Sequence, residues 1–278
     1  MAVRWTGPGT LPAEAIDALQ AAGLQPRRMD WYADGVHLEA GDRATVRALP
    51  LFKGGSLTLQ SASSMFAVLA LAPESGQDVL DLCAAPGGKT ALLHRLMRGT
   101  GRLVANDLSR RRMTRLRDQL HVLGVDGVKT MCGDGVLLSR DLASCFDCVL
   151  VDVPCSGEGR WHGGDPSAWA NWSLSTTRTL AKRQETLLRA ACRMVRTGGK
   201  VVYATCTLAP EENEHVVSRV LAREPVCLRP IDLASPAVLG GLTQWGASAY
   251  DEQVQQACRL LPCTDGFTGF FVALLERI

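Results

Sequence analysis

The stretch VLDLCAAPGGKT, residues 79–90, decides the fold class of this 278-residue chain. A strand-like run leads into a tight loop with a proline and two glycines, and a helical pattern follows. From there to about residue 205, short apolar runs alternate with helical segments. Strands that alternate with helices form βαβ units and a parallel sheet. The sequence therefore predicts an α/β protein with a mainly parallel, Rossmann-like sheet.

The two ends of the chain depart from this alternation. A helix near AEAIDALQAAG (13–23) and a hairpin in MDWYADGVHLEA (29–40) predict a small N-terminal α+β appendage. We assign residues 1–58 to the appendage and residues 59–278 to the main domain. At the other end, GFTGFFVALLERI (266–278) predicts one more strand, antiparallel and at or near the edge of the sheet.

The composition is that of an ordinary globular protein, with 46% hydrophobic residues, 21% charged residues and a formal net charge of +2. No run approaches the roughly 18 apolar residues that cross a membrane, and residues 1–15 lack the apolar core of a secretory signal. Ten cysteines without a regular framework predict reduced thiols in the cytoplasm. The C-x-x-C of Cys145 and Cys148 overlaps a predicted strand, so we interpret both as core thiols and expect no metal site.

The loop after the first strand is a cofactor site by position, because ligands of parallel sheets bind beyond the carboxyl ends of strands. Three cofactors compete for it. A nucleotide P-loop requires a glycine where Cys83 stands, and the G-x-G-x-x-G of a dinucleotide site is absent. S-adenosylmethionine has no pyrophosphate and tolerates a variable loop, so it is the preferred cofactor.

Acidic residues after the next two strands support this choice. Asp107 ends the second strand, where a carboxylate can accept hydrogen bonds from both hydroxyls of a ribose. Asp134, after the third strand, is positioned to meet an adenine edge. Either residue could instead cap a turn. Their places at successive strand ends favour the cofactor.

Two cysteines follow the fourth and fifth strands, Cys155 in LVDVPCSGEG (150–159) and Cys206 in VVYATCTLAPEENE (201–214). Buried thiols are the commoner fate of cysteine, but these two enter loops with proline and glycine, and neighbouring strand ends could bring them together. Two thiols beside a methyl donor suit methylation at C5 of a pyrimidine. One thiolate adds to C6 and makes C5 nucleophilic, and the other assists release. Asp152 could hydrogen-bond the cytosine N3 and amine, or cap its own loop.

Three motifs carry a family resemblance: CAAPGGKT (83–90), DVPCSGEG (152–159) and ATCTLAPEENE (204–214). In this order and spacing the chain resembles the Fmu/Nop/Sun family of RNA cytosine-5 methyltransferases, over about residues 55–278. The resemblance implies a Rossmann-like class I methyltransferase fold and S-adenosyl-L-methionine as cofactor. Departures from the family pattern are Ser61 after Gln60, Val153 in the middle of the first cysteine motif, and a longer GFTGFF.

The resemblance also implies a role for individual residues. Cys206 is the expected nucleophile and Cys155 the residue that assists release, with Asp152 and Lys89 in the same active site. The expected cofactor contacts are Cys83, Ala84, Ala85, Pro86, Gly87, Gly88, Lys89, Asp107, Arg112, Asp134 and Asp152. From spacing alone, the two cysteine roles could be reversed.

The expected partner is RNA, either transfer or ribosomal, whose target base must be unstacked. A protein partner could supply affinity, because no appended RNA-binding domain is evident beyond the N-terminal appendage, which could itself contact RNA. Aromatic residues after Cys155 could stack on bases or pack their own loop: Trp161, His162, Trp169 and Trp172. Basic residues that could meet phosphates follow them: Arg178, Lys182 and Arg183.

Two other functions remain open at this point. A DNA cytosine-5 methyltransferase would use related thiol chemistry, but the second thiol argues against it. A non-catalytic RNA-binding or ribosome-assembly factor could keep a methyltransferase fold, although the intact set of Lys89, Asp152, Cys155 and Cys206 argues against lost catalysis.

Overall fold

The computed structural model describes residues 1–39, 43–160, 172–233, 238–262 and 266–278. The N-terminal part contains a four-stranded antiparallel sheet in the order β2-β3-β1-β4. Its elements are β1 (Ala2–Trp5), α1 (Ala13–Ala21), β2 (Pro26–Met29), β3 (Tyr32–Leu38), α2 (Arg43–Ala48), α3 (Pro50–Lys53) and β4 (Leu57–Leu59). The predicted helix and hairpin are confirmed as α1 and the β2–β3 pair. The predicted domain boundary after residue 58 falls within β4 and stays a prediction.

The rest of the chain forms a large sheet with helices on both faces. Its first half contains α4 (Ala62–Leu71), β5 (Asp78–Asp81), α5 (Gly88–Leu96), β6 (Arg102–Asp107), α6 (Arg110–Val122), β7 (Lys129–Cys132), α7 (Gly135–Leu138) and β8 (Phe146–Asp152). Its second half contains α8 (Leu174–Met194), β9 (Val195–Thr205), α9 (Glu214–Leu221), β10 (Val226–Arg229), β11 (Val238–Gly240), β12 (Gln244–Trp245), β13 (Ser248–Ala249), β14 (Cys258–Leu260) and β15 (Phe270–Arg277).

The strand order of the large sheet is β11-β14-β15-β9-β8-β5-β6-β7, and β10 also pairs with β15. The five strands from β9 to β7 are parallel, and β15 runs antiparallel beside β9, so the predicted mainly parallel sheet is confirmed. The first strand of this set, β5, lies between β6 and β8. The strand order therefore reverses at β5, and ligands of such sheets bind at the carboxyl ends beside this point.

Two helical layers cover the sheet. On one face, α8 and α9 pack on Val149, Val151 and Tyr203. On the other face, α4 and α5 pack on Leu150 and Val202. Strand residues alternate between the two faces because successive side chains of a strand point in opposite directions. Cys148 is buried in the second core, as predicted, and Cys145 packs at the margin of the first.

Several boundaries differ from the sequence prediction. Helix α8 begins at Leu174 rather than Leu180, because the Ser173 side chain accepts a hydrogen bond from the Thr176 backbone N–H and caps an earlier turn. Strand β9 begins at Val195 rather than Lys200, directly after α8. The strands β1, β4, β10, β11 and β14 were not predicted, because three or four residues are too few to establish an alternating pattern.

Arg95, in the last turn of α5, joins the N-terminal part to the large sheet. Its guanidinium donates to the Asp34 carboxylate at 2.7 and 3.1 Å and to the carbonyl oxygens of Gly7 and Gly9 at 2.8 and 2.6 Å. Asp34 also accepts a hydrogen bond from the Leu11 backbone N–H at 3.0 Å. A single partly buried cation therefore holds two segments of the N-terminal part, the loop after β1 and strand β3, against α5. No helix within the described ranges is both long enough and apolar enough to span a membrane.

Candidate active site

The two predicted thiols meet at the carboxyl ends of β8 and β9. These strands are parallel neighbours, with Asp152 opposite Ala204, and each continues into the loop that carries its cysteine. The Sγ atoms of Cys155 and Cys206 lie 3.0 Å apart, and the Cys206 backbone N–H donates to Cys155 Sγ at 3.2 Å. The prediction that neighbouring strand ends bring the two cysteines together is confirmed.

An ion pair adjoins the thiols. Lys89, in the first turn of α5, donates to Asp152 Oδ2 at 2.6 Å, and the two side chains are 16% and 28% exposed. Burial alone would lower the pKa of Lys89, but the charge and hydrogen bond of Asp152, with smaller effects of Asp81 and Cys206, raise it above its ordinary value. Lys89 is therefore a cation at neutral pH, and its attraction to Cys206 favours the thiolate form of that residue.

Cys155 is held in its protonated form. The hydrogen bond with Cys206 Sγ, followed by burial, raises the pKa of Cys155 well above that of an ordinary thiol. Two thiols in contact share their titration, so that one ionises before the other.

A buried carboxylate holds the two cysteine loops together. Glu212, fully buried, accepts hydrogen bonds from the Ser156 backbone N–H at 3.0 and 3.3 Å and from Gln184 Nε2 at 2.7 Å. Gln184 also donates to the Pro154 carbonyl at 2.9 Å. Burial raises the pKa of Glu212 despite these hydrogen bonds. The Glu212 network thus links α8, the loop after β8 and the loop after β9.

Two glycines allow the loop after β8 to pass close to β15. The Gly159 N–H donates to the Cys206 carbonyl at 3.0 Å, and the Gly269 N–H donates to the Gly159 carbonyl at 2.8 Å. A Cβ on Gly159 would lie 1.7 Å from the Gly269 carbonyl oxygen. Only glycine fits at this crossing. Gly159, the last residue of the sequence GEG, therefore holds the Cys155 loop against Cys206.

The loop between β5 and α5 lines a cavity of about 220 Å³, the loop cavity. A Cβ on Gly88 would lie 3.9 Å from the Gln60 side chain, which also lines this cavity. Because residue 88 is glycine, the cavity stays open between these two residues. Seven of the residues that are predicted to contact the cofactor line this cavity, and their contact with a cofactor stays a prediction: Cys83, Ala84, Ala85, Pro86, Gly88, Lys89 and Asp152. Gly87 instead has a φ of +111° and contacts Leu116, and its Cβ would approach Leu116 to 3.3 Å.

The remaining predicted cofactor residues lie at the ends of β6 and β7. Asp107 is buried and accepts hydrogen bonds from the Ala85 and Ser109 backbone N–H groups at 3.3 and 3.0 Å. Arg112 pairs with Asp107 at 3.2 Å. Asp134 caps α7 through the Val136 N–H and pairs with Arg183 at 2.6 Å. Burial tends to raise the pKa of Asp134, but these two partners lower it. Contact of any of them with a cofactor stays a prediction.

A second cavity of about 580 Å³, the thiol cavity, contains the chemistry-bearing groups. It is lined by Lys89, Asp152, Cys155 and Cys206 together, with Phe270 of β15 beside them. The loop cavity and the thiol cavity share Ser61, Ser64, Ala85, Pro86, Lys89 and Asp152 in their walls. A molecule in one cavity therefore borders a molecule in the other. In the described part of the chain, no group of three or more His, Cys, Asp or Glu side chains could hold a metal ion.

The model of the family described as 16S rRNA methyltransferase RsmB/F matches residues 68–276. The chain belongs to the RsmB/F family. The resemblance to the Fmu/Nop/Sun methyltransferases drawn from the three motifs is thereby confirmed.

Curated relatives agree with the RsmB/F assignment. The 28S rRNA (cytosine-C(5))-methyltransferase of Mus musculus is 36% identical over 236 residues, which are 84% of this chain and 29% of the relative. Ribosomal RNA small subunit methyltransferase F of Serratia proteamaculans is 34% identical over 259 residues, 91% of this chain and 52% of the relative. The chain thus spans about half or less of the length of these two relatives.

Solved structures of similar proteins confirm the Rossmann-like methyltransferase fold. A methyltransferase homolog protein from Pyrococcus horikoshii superposes with a TM-score of 0.86 at 30% identity, covering all of this chain and 86% of that one. NSun6 from Pyrococcus horikoshii, solved with SFG, has a TM-score of 0.81 at 21% identity and covers 99% of this chain and 90% of that one. At that identity, the second likeness shows the fold alone.

In this RsmB/F family member, some residues of the site were not predicted from the sequence, and some predicted residues have partners that the sequence did not indicate. Glu212 and Gln184 were not predicted, although Glu212 lies within the quoted motif PEENE, because nothing local distinguishes it from Glu211. Arg183, which could meet phosphates, pairs with Asp134, and its contact with RNA stays a prediction. Trp172 is 45% exposed and its indole N–H donates to Glu158. Trp161, His162 and Trp169 lie outside the described residues.

Proposed function

We propose that this protein transfers a methyl group from S-adenosylmethionine to C5 of a cytosine in ribosomal RNA, in the cytoplasm. Cys206 forms a covalent bond to C6 during the reaction, and Cys155 assists release of the product. The observation that carries the proposal is the thiol pair, with Sγ atoms 3.0 Å apart, in one cavity with the Lys89–Asp152 ion pair. Ribosomal RNA is favoured over transfer RNA because the two relatives described above are ribosomal RNA methyltransferases.

The surroundings of the loop cavity fit S-adenosylmethionine. Backbone groups of residues 83–86 line it, Gly88 leaves it open, and it shares a wall with the thiol cavity. The residues that would hold the cofactor are those of the loop together with Asp107, Arg112, Asp134 and Asp152. When bound, S-adenosylmethionine supplies a methyl group on a positively charged sulfur.

The protein's own groups perform the other steps. The Cys206 thiolate, favoured by the Lys89 cation, adds to C6 of the cytosine, so that C5 gains the nucleophilic character needed to take the methyl group. Asp152 accepts a hydrogen bond from the Watson–Crick edge of the base while keeping its contact with Lys89. Lys89 holds Asp152 in place, and Asp152 holds the base beside the thiols. Such positioning of the reacting groups lowers the activation barrier.

Release requires loss of the C5 proton and cleavage of the bond between C6 and Cys206 Sγ. Once Cys206 is bonded to carbon, it no longer carries the charge that keeps the neighbouring thiol protonated. Cys155 can then give its proton to solvent, and the resulting thiolate accepts the C5 proton. The C5–C6 double bond returns, and Cys206 leaves as a thiolate. This sequence assigns the nucleophile to Cys206 and the base to Cys155, whose pKa is raised by its hydrogen bond with Cys206 and by burial.

Covalent trapping tests the proposal. Wild type, Cys155→Ala, Cys206→Ala and the control Cys227→Ala, which changes a thiol in β10 away from the site, are incubated with unmodified 16S rRNA and S-adenosylmethionine. The mixtures are then separated on a denaturing gel. We expect Cys155→Ala alone to retain RNA, because its adduct forms and is not released. Cys206→Ala should trap nothing and transfer no methyl group.

The reverse trapping pattern would exchange the two roles. Absence of both trapping and methyl transfer in wild type, with RNA still bound, would support a ribosome-assembly factor instead. Matched RNA and DNA oligonucleotides decide the nucleic acid, since a DNA cytosine-5 methyltransferase would modify the DNA copy at least as fast.

A further inference from the structure

A basic groove extends the thiol cavity toward the N-terminal part of the chain. This groove encloses about 580 Å³ and is lined by Arg43 and Arg47 of α2, by Gln60 and Ser61, and by Phe267 and Thr268. Arg43, Ser61 and Thr268 also line the thiol cavity. A polymer that reaches the thiols through this side must therefore pass the arginines of α2.

The two arginines form one charged face. They stand four positions apart on α2, so their side chains are neighbours about 5–6 Å apart at Cβ. Val46, between them in sequence, is fully buried in the core of the N-terminal part and fixes the helix in place. Both arginines are exposed, and neither makes an ion pair or hydrogen bond with any residue in the described ranges.

The other arginine beside these cavities is already engaged. Besides Arg43 and Arg47, the arginine among the described lining residues of the three cavities is Arg112, which pairs with Asp107. Along the basic groove, the described lining residues include no acidic side chain, and in the thiol cavity the sole acidic lining residue is Asp152, which pairs with Lys89. Among the described residues, no acidic side chain compensates the positive charge of α2 on the side that faces the groove. Such a surface attracts a polyanion.

We infer that Arg43 and Arg47 bind backbone phosphates of the RNA strand next to the target cytosine, and so position that base over the thiols. The inference rests on the proposed function, because it takes RNA as the substrate. An acidic protein segment would also be attracted, but the groove opens into the cavity that receives the base. RNA therefore accounts for both the charge and its continuity with the thiols. Guanidinium groups suit this role because they bind phosphate oxygens with two parallel hydrogen bonds.

Salt-dependent RNA binding tests the inference. The double variant Arg43→Gln/Arg47→Gln is compared with wild type and with Arg140→Gln, an exposed arginine that lines none of the three cavities. The probe is unmodified 16S rRNA, titrated at several salt concentrations. Each lost phosphate contact lowers the slope of log K against log salt by about 0.7–0.9. We expect the double variant to bind about tenfold more weakly at low salt and to lose roughly 1.5 from the slope. Arg43→Lys/Arg47→Lys should restore most of the slope.

The outcomes separate this inference from the proposed function. If wild type binds the RNA and the double variant matches Arg140→Gln in affinity and slope, the inference is wrong while the proposed function stands. If wild type binds no RNA at any salt concentration, both fall. A thermal unfolding midpoint equal to that of wild type shows that the double variant is folded. If the double variant binds RNA about tenfold more weakly but keeps the wild-type slope of log K against log salt, the loss is structural. That outcome would also overturn the inference.

Discussion

Both carboxylate oxygens of Glu212 accept a hydrogen bond from the Ser156 backbone N–H, at 3.0 and 3.3 Å. Ser156 directly follows Cys155, and Glu212 lies six positions after Cys206 in the same loop. The position of Cys155 relative to Cys206 therefore depends on Glu212, which hydrogen-bonds to neither cysteine in the described contacts. Gln184 completes the arrangement with a hydrogen bond of 2.7 Å from α8.

Replacement of Glu212 should affect both stability and catalysis. In Glu212→Ala, the Ser156 N–H and Gln184 amide lose their acceptor in a buried place, which costs about 1–3 kcal/mol of unfolding free energy. We expect methyl transfer in single-turnover experiments to fall by more than tenfold, while binding of S-adenosylmethionine stays near the wild-type value. Glu211→Ala, which changes the half-buried neighbour, is the control and should alter neither quantity. Equal activity of the two variants would show that the Glu212 network does not position the thiols.

Loss of the Lys89 cation should make Cys206 harder to ionise. The positive charge beside a thiol lowers its pKa, so Lys89→Met should move the pH dependence of Cys206 alkylation by about one unit to higher pH. The measurement is the rate of iodoacetamide labelling of Cys206 in a Cys155→Ala background, followed by mass spectrometry. Lys129→Met, an exposed lysine of β7, serves as the control. An unchanged profile in Lys89→Met would rule out thiolate stabilisation by this residue.

The crossing of Gly159 and Gly269 should not tolerate a side chain. In Gly159→Ala the new methyl group would lie 1.7 Å from a carbonyl oxygen, so the loop of Cys155 must move away from β15. We expect a loss of roughly 3 kcal/mol in unfolding free energy. In a Cys155→Ala background, the same change should abolish covalent trapping of RNA. Gly133→Ala provides the comparison, because its nearest neighbours would be 3.7 Å away and its stability should change little. Wild-type stability in Gly159→Ala would contradict the close approach.

Asp81 should make the stability of the fold depend on pH. It is fully buried in β5 and accepts a hydrogen bond from Thr90 Oγ at 2.8 Å, and burial raises its pKa to about 7. The folded state therefore keeps this proton up to about pH 7, whereas the unfolded chain loses it near pH 4. Stability is fully present below pH 4 and falls as pH rises through this window, with a slope of up to about 1.4 kcal/mol per pH unit.

Denaturant unfolding between pH 4.5 and 8 checks this sign. The free energy of unfolding of wild type should decrease relative to that of Asp81→Asn, which cannot ionise, as pH rises to about 7. Asp118→Asn, an exposed site on α6, should follow wild type throughout. Parallel curves for wild type and Asp81→Asn would mean that Asp81 is ionised in the folded protein.

The sequence was most informative where the structure is local. The strand, loop and helix of residues 79–97 are consecutive, and the cysteines follow strands whose apolar runs are readable, so the thiol site could be predicted. Glu212 could not be found in this way, because its role comes from Gln184 and Ser156, which are distant in sequence. The same limit applies to Asp134, because its position after a strand does not reveal that Arg183 of α8 reaches it.

The attachment of Arg95 to Asp34, Gly7 and Gly9 has a consequence for any attempt to shorten the protein. A chain cut at the predicted boundary after residue 58 would remove the acceptors of this guanidinium named above. It would also remove β1, which pairs with β4, and the first two residues of β4 itself. Arg95 lies in the last turn of α5, the nine-residue helix that begins at Gly88. Loss of its partners would therefore destabilise the helix that positions Lys89 in the candidate active site. The N-terminal segment is therefore a poor choice for removal in engineering, and its exchange between relatives should include α5.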